Sequence, residues 1–473
     1  MTVSATLDYQ AMPYIAEPGA ALHALGGEQW SAWLDSGHPG QGSGRFDILV
    51  ARPAATLVMS GGVTRLARGS AVRYASGNPL EHLDELLSEF GEVTSDPDLP
   101  FVGGALGYFT YDLGRRLLGI GAGQGEQGRP EMAVGIYECA IVTDHLRRYS
   151  VAVGRRLDHD WLALVRDRLG EYSSLSSREG TECQGYQPFR LEGEVLVEPT
   201  AQAYAEQFRR VQEYLHAGDC YQVNLARRFT APFSGDPQSA YLALRACSPA
   251  PFAAWMRSPR SDLLSFSPER FLSVDAQRRV VTEPIKGTRP RGINREQDQD
   301  YISELSCSSK DRAENVMIVD LLRNDLGKGC KFGTVKTTEL CQVHSYASVH
   351  HLVSRITGQL GAGYTPLALL HDCLPGGSIT GAPKRRAMEI IDELEPGPRR
   401  VYCGSIGYIG FDGRMDSNIA IRTAICERGQ VTYWAGGGVV VDSTLDAELQ
   451  ETVDKAYAFL RLAQSSEDKK RNA

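Results

Sequence analysis

The chain has 473 residues, longer than one compact domain usually runs, so two domains or one large elaborated domain is expected. Hydrophobic residues make up 42%, charged residues 23%, and the net charge is −8, a soluble-enzyme balance without the basic footprint of a nucleic-acid binder. The ten cysteines show no CxxC pair, which points to free thiols in a reducing compartment. The first residues lack a basic stretch followed by an apolar one, and no segment has the apolar length of a membrane span. The cytoplasm is the expected location, with no membrane or nucleic-acid partner.

Short strand-like runs, such as 45–51 and 132–137, fill the region from Pro13 to Val153. The stretch from Ser173 to Glu194 is rich in Ser, Gly and Glu and reads as a connection or surface insertion. A helix is predicted from Thr200 to a stop at Gly218, by its 3.6-residue apolar period. Beyond it, strands, helices and glycine turns mix without βαβ alternation, which predicts an α+β fold with largely antiparallel sheets. The last residues, 465–473, are polar and expected to fray.

Four features of the second half carry chemistry. The first is Pro284-Ile285-Lys286-Gly287-Thr288, in which a lysine is rooted at a strand end; alone it reads as a solvated cation. Glu269 lies seventeen residues upstream, a separation that lets two hairpinned strands present both groups to one cavity, although a structural ion pair is the plainer reading.

The second feature is a pair of acidic helices. One begins near Ser308, with Ser308 and Asp311 spaced like a capping box and Gly327 as a stop. Asp311 and Glu314 share a face there, as Glu448 and Glu451 do on the second helix. An acidic pair in a first turn ordinarily complements the helix dipole and faces water. Two such pairs together offer the oxygen ligands that Mg2+ prefers.

The third feature is the set of glycine turns. Residues 375–384 place three glycines, Ser378 and Thr380 ahead of a helix, an anion-site composition without Walker A spacing. Gly436, Gly437 and Gly438 are expected to separate two strands and admit a ligand close to the backbone. The fourth is Arg422, predicted at the end of an alternating strand, either as a fork for a carboxylate or as a surface ion pair.

In this order the motifs resemble those of the chorismate-utilising enzymes. The resemblance runs from Arg45-Phe46-Asp47-Ile48 through Phe101–Tyr108, Gly218–Leu225, Pro284–Thr288 and Asp320–Asp325 to the second acidic helix. It implies an α+β core of two orthogonally packed, largely antiparallel sheets with helices outside. The implied regions are 1–172, a linker at 173–196, a chorismate-binding region at 197–464 and a tail at 465–473. Both halves would contribute strands, so the boundary near Ser173 is one of sequence rather than of independent folding.

Two positions sort the branches. Related anthranilate synthases carry alanine where Lys286 stands, and isochorismate synthases use a lysine at the position of Gln222. Their combination here favours the aminodeoxychorismate-forming, transferase branch, on the route to 4-aminobenzoate and folate. The resemblance implies Mg2+ on Glu314 and Glu451, supported by Asp311 and Glu448. It assigns a substrate carboxylate to Arg422, Tyr408 and the amides of Gly436 to Gly438. His351, Ser378 and Thr288 take further pocket positions. Lys286 is implied as a covalent nucleophile at ring C2 with Glu269 as general acid, which requires a neutral lysine.

No cysteine sits in a GxCxG setting, so ammonia is expected from a separate glutamine amidotransferase. Anthranilate synthesis is the nearest alternative, and a non-enzymatic regulatory homologue the next. Trp33-Leu34-Asp35-Ser36 partly matches an amino-acid effector pocket, with Ser36 as its lining residue and Trp33 replacing a leucine.

Overall fold

The computed structural model describes residues 5–39, 44–121, 128–176, 186–346 and 349–471, with side chains described as far as residue 462. Two large sheets dominate, one of 13 strands and one of 12, and every pairing between named strands is antiparallel. Neither sheet belongs to one half of the sequence. In the first, Ser31–Asp35 pairs with Phe252–Arg257. In the second, Gly104–Phe109 pairs with Ser405–Gly410.

Period-two alternation distributes the side chains between two cores. Ile48 and Val50 join a cluster that includes strands of both sheets, whereas Leu49 between them joins a second cluster. In that second core Trp33 and Trp255 of the sheet pack with Trp161 of helix His159–Ser176, Tyr241 of helix Pro237–Cys247 and the helix Pro18–Leu25. Each fully buried large apolar side chain contributes about 1.5–3 kcal/mol.

The helix Ala201–Ala217 forms as its pattern predicts. Thr200 caps it by accepting from the Ala203 amide, and Gly218 closes it at φ 80°, a left-handed value that glycine adopts without strain. Tyr204, Phe208, Val211 and Leu215 make its buried stripe.

The region expected as a linker is partly regular. The helix His159–Ser176 runs into it, residues 177–185 lie outside the described set, and Arg190–Leu191 pairs with Phe233 and Ser234. The residues expected to fray fall on the last turns of the helix Leu445–Arg471 and on 472–473, which lie outside the described residues. The nine described cysteines are all free. No helix among the described residues is long and apolar enough to cross a membrane.

Candidate active site

Lys286 stands on the strand Ile285–Pro290, whose register against Val349–Gln359 slips by one residue at Gly287. Gly287 has φ 77°, and a Cβ there would lie 2.8 Å from Leu305 Cδ1 and 2.9 Å from Asp311 Cγ, so only glycine fits this bulge. The bulge sits beside Lys286, whose Nζ donates to the Ser378 carbonyl at 3.4 Å. The Ser378 hydroxyl in turn donates to Glu269 Oε1 at 2.7 Å. One residue of the glycine turn thus holds both members of the pair expected to do acid and nucleophile work.

Glu269 is only 5% exposed, in the turn between Asp262–Ser267 and Arg270–Val274. Burial pushes its carboxyl up to about 7, against the Ser378 hydrogen bond and the Lys286 charge, which pull it down. Burial also lowers the Lys286 ammonium; Lys455 adds to this, while Glu314, Glu269 and Glu451 oppose it. Desolvation thus moves both groups towards their neutral forms.

These residues line a cavity of about 720 Å3 together with Arg422, His351, Thr288, Gly436 and Gly438. Arg422 differs from its expected position at a strand end. The strand Met415–Asn418 has already ended, and Arg422 turns at φ 51° just before Thr423–Glu427. No carboxylate pairs with its guanidinium among the described residues, and burial pulls its pKa down. A desolvated, unpaired guanidinium is costly, and an anionic ligand would supply the missing partner. His351 Nδ1 lies 2.9 Å from Thr288 Oγ1. Burial and the Arg422 charge hold its imidazole down at about 3, so it is neutral at physiological pH.

The glycine run is not a break between two strands. Gln430–Val439 is continuous, with Gly436, Gly437 and Gly438 paired to Ala226, Leu225 and Asn224. Gly436 and Gly438 line the cavity, while Gly437 faces the C-terminal helix, where a Cβ would fall 2.7 Å from Glu448 Oε2. The glycine turn stands ahead of a helix, as expected, and is itself partly regular. Residues Gly377–Ile379 form a single 3-10 turn and Gly381–Ala382 pairs with Gln222 and Val223, before the helix Lys384–Leu394 starts.

Tyr408 is displaced from its expected place. It lies on Ser405–Gly410 of the second sheet, packs against Phe101 with centroids 5.0 Å apart, and lines a different cavity. Tyr402, six residues earlier, lines the cavity of Lys286 instead. Sequence reasoning also missed Lys455, Trp434 and Asn224, which line the same space. Lys455 alone carried a signal, as a lysine one turn after Glu451. Gln222 is fully buried with both amide atoms unpartnered, under Gly438.

The two acidic helices meet at this cavity. Ser308 caps the helix Ser309–Gly329 by accepting from the Asp311 amide, and the helix runs on past Gly327 to Gly329. Asp311, Glu314, Glu448 and Glu451 all line the cavity. They do not form a closed chelate: among the described residues no group of three or more His, Cys, Asp or Glu is gathered to hold a metal. Asp311 is drawn to Arg289 at 3.3 Å and Glu451 to Lys455 at 2.6 Å. Glu448 Oε1 accepts from Ser443, whereas its Oε2 is buried with no partner. Burial raises the carboxyls of both Glu448 and Glu314. Crowded, desolvated carboxylates with an orphaned oxygen are a donor set that fits a hard divalent cation.

A second cavity, of about 860 Å3, lies on the other side of Pro268 and Ile285, which line both spaces. Leu34, Asp35, Ser36 and Tyr408 contribute to it. The Ser36 amide and hydroxyl both donate to Asp47 Oδ1, at 2.9 and 2.8 Å. Trp33 points away from this cavity into the second core and donates its indole N–H to Asp47.

A lysine and a glutamate joined through one serine, an unpaired arginine and two acidic helices, all strung on two interleaved antiparallel sheets, define a class. The chain belongs to the chorismate binding enzyme family, whose profile matches residues 31–461. Among curated relatives it is 45% identical to "Aminodeoxychorismate synthase component 1" of Escherichia coli (strain K12), covering 91% of this chain and 93% of that protein. It is 37% identical to "Anthranilate synthase component 1" of Thermus thermophilus, over 89% of this chain and 90% of the other. The crystal structure of anthranilate synthase component I from Streptococcus pneumoniae TIGR4 superposes with a TM-score of 0.74 at 29% identity, covering 88% of this chain and 92% of that one.

Proposed function

We propose that this chain is an aminodeoxychorismate synthase subunit, converting chorismate and ammonia to 4-amino-4-deoxychorismate and water. The observation that carries the reading is the Lys286–Ser378–Glu269 relay in one cavity with the unpaired Arg422. Arg422 takes a carboxylate of the substrate, beside Gly436 and Gly438. Neutral Lys286 attacks ring C2 while the C4 hydroxyl departs with a proton from Glu269, a carboxyl half protonated near neutrality. Ammonia then bonds to C4 and the C2–N bond to Lys286 breaks, returning the lysine; the surplus proton returns to Glu269. The neutral imidazole of His351, fixed by Thr288, borders the substrate without adding charge.

Glu314 and Glu451, with Asp311 and Glu448, would hold Mg2+. The ion would neutralise a substrate carboxylate and polarise the ring. Ammonia comes from a partner, read as a glutamine amidotransferase because the 45%-identical relative is named a component 1. The cavity of Ser36 has room for an amino acid, as an effector or as a structural ligand.

The alternative is anthranilate synthesis, favoured only by the relatives of that name. The assay incubates the purified chain with chorismate, Mg2+ and ammonium salt. Aminodeoxychorismate without pyruvate is expected, and anthranilate with pyruvate overturns the reading. Lys286→Ala is expected to abolish or redirect the product, and an unchanged rate and product would remove Lys286 from the mechanism.

A further inference from the structure

The C-terminal helix Leu445–Arg471 carries Glu448, Glu451 and Lys455 at i, i+3 and i+7, so they project from one face. Lys455 Nζ lies 2.6 Å from Glu451 Oε1 and donates to the Gly436 carbonyl at 2.8 Å. The other oxygen of Glu451 turns towards Gly437, where a Cβ would meet it at 3.2 Å and would meet Glu448 Oε2 at 2.7 Å. That Glu448 oxygen is the buried, unpartnered one, on a residue only 4% exposed. Two carboxylate oxygens therefore converge on one glycine, and the Glu451 charge raises the cost of charge on Glu448. Of the two cations that ease charge on Glu448, Lys455 touches Glu451 directly, and Lys310 acts from the facing helix.

We infer that Lys455 is an internal counter-cation, which a divalent ion must displace from Glu451 before it can bind. This rests on the metal reading given above and names the residue that tunes it. The ammonium and a metal neutralise the same oxygen, so they compete for it. Lys455 has somewhere to go, because the Gly436 carbonyl keeps one of its N–H bonds when Glu451 is released. The pair is 43% exposed on both sides, so the competition is moderate rather than prohibitive.

The test is Mn2+ binding to the full chain without substrate, followed by calorimetry and by electron paramagnetic resonance of free Mn2+. Lys455→Met keeps the stem and removes the charge; it is expected to bind Mn2+ about two- to fivefold tighter, the range for an exposed ion pair. Lys455→Arg keeps the competitor and is expected to bind like the wild type. Lys310→Met removes a charge of the cavity that does not touch Glu451, and is expected to change affinity less than Lys455→Met. The inference is overturned if Lys455→Met binds no tighter than the wild type, or if both methionine variants gain equally, which would be a field effect without contact exchange. A wild-type chain that binds no Mn2+ at all would overturn the metal reading itself, and the inference with it.

Discussion

Replacing Glu269 by glutamine separates what this residue does for catalysis from what it costs the fold. Its carboxyl titrates near 7 in the folded chain against an ordinary 4.5, because burial disfavours the charge. Below pH 4.5 both folded and unfolded chains hold the proton and the group is neutral to stability. As pH rises through 4.5 the unfolded chain gives up its proton first, so stability drains away until the folded carboxyl ionises near 7, and is constant above. At about 1.4 kcal/mol per pH unit, the loss between pH 5.5 and 8.5 is roughly 2 kcal/mol. With an unfolding entropy of about 2.1 cal/mol/K per residue, a chain of 473 residues shifts by ~1 °C per kcal/mol. Glutamine preserves the acceptor for Ser378 and has no charge to hide. Scanning calorimetry should therefore show the melting temperature of Glu269→Gln gaining ~2 °C on the wild type over that pH range, while its turnover falls by about 10²–10⁴-fold through loss of the acid. A gap in melting temperature that stays flat with pH would refute the raised carboxyl, and an undiminished turnover would refute its role.

Three further outcomes follow from the geometry. Arg422→Ala removes a charge-assisted contact worth about 1.5–3 kcal/mol, so kcat/KM for chorismate should fall roughly 10- to 150-fold, with little change if the guanidinium faces no substrate. Gly437→Ala puts a methyl 2.7 Å from Glu448 Oε2, and Mn2+ affinity should drop at least about tenfold, a cost of about 1.4 kcal/mol that urea titration can separate from any global destabilisation. Gly287→Ala must adopt φ 77° and crowd Leu305 and Asp311; denaturation should show a loss of about 1–3 kcal/mol together with reduced turnover, because the bulge beside Lys286 is disturbed.

Lys286, Glu269 and the two acidic helices were legible as local features, although each alone has a plainer reading and only the order of the motifs joined them into one site. A proline–glycine bracket, an i, i+3 pair and a serine cap survive into the structure with the same neighbours. The tyrosines were not legible in that way. Tyr402 and Tyr408 are close in sequence, and only the course of the second sheet decides that one meets the catalytic cavity and the other the cavity behind Ile285. Arg422 follows an alternating apolar run that looks like a strand, yet the chain turns there so that the Phe266 amide can reach its carbonyl. The three glycines at 436–438 read as a break by composition. The ladder with Gln222–Ser234 holds them in a strand, and at Gly437 the missing side chain is filled by Glu448 and Glu451. Such features depend on partners far away in the chain, and no window of sequence contains them.

The interleaving of the two halves also has a consequence for how the protein is made. Gly104–Phe109 has one neighbour, Met132–Tyr137, available almost at once, but its other neighbour is Ser405–Gly410. At about 5–20 residues per second, the roughly 300 residues between these partners take on the order of 15–60 s to leave the ribosome. Throughout that interval the nascent chain carries an unpaired, apolar strand edge of the kind that invites association with other chains. Slowing translation late in the message, which prolongs that interval, should therefore cost more soluble protein than slowing it early.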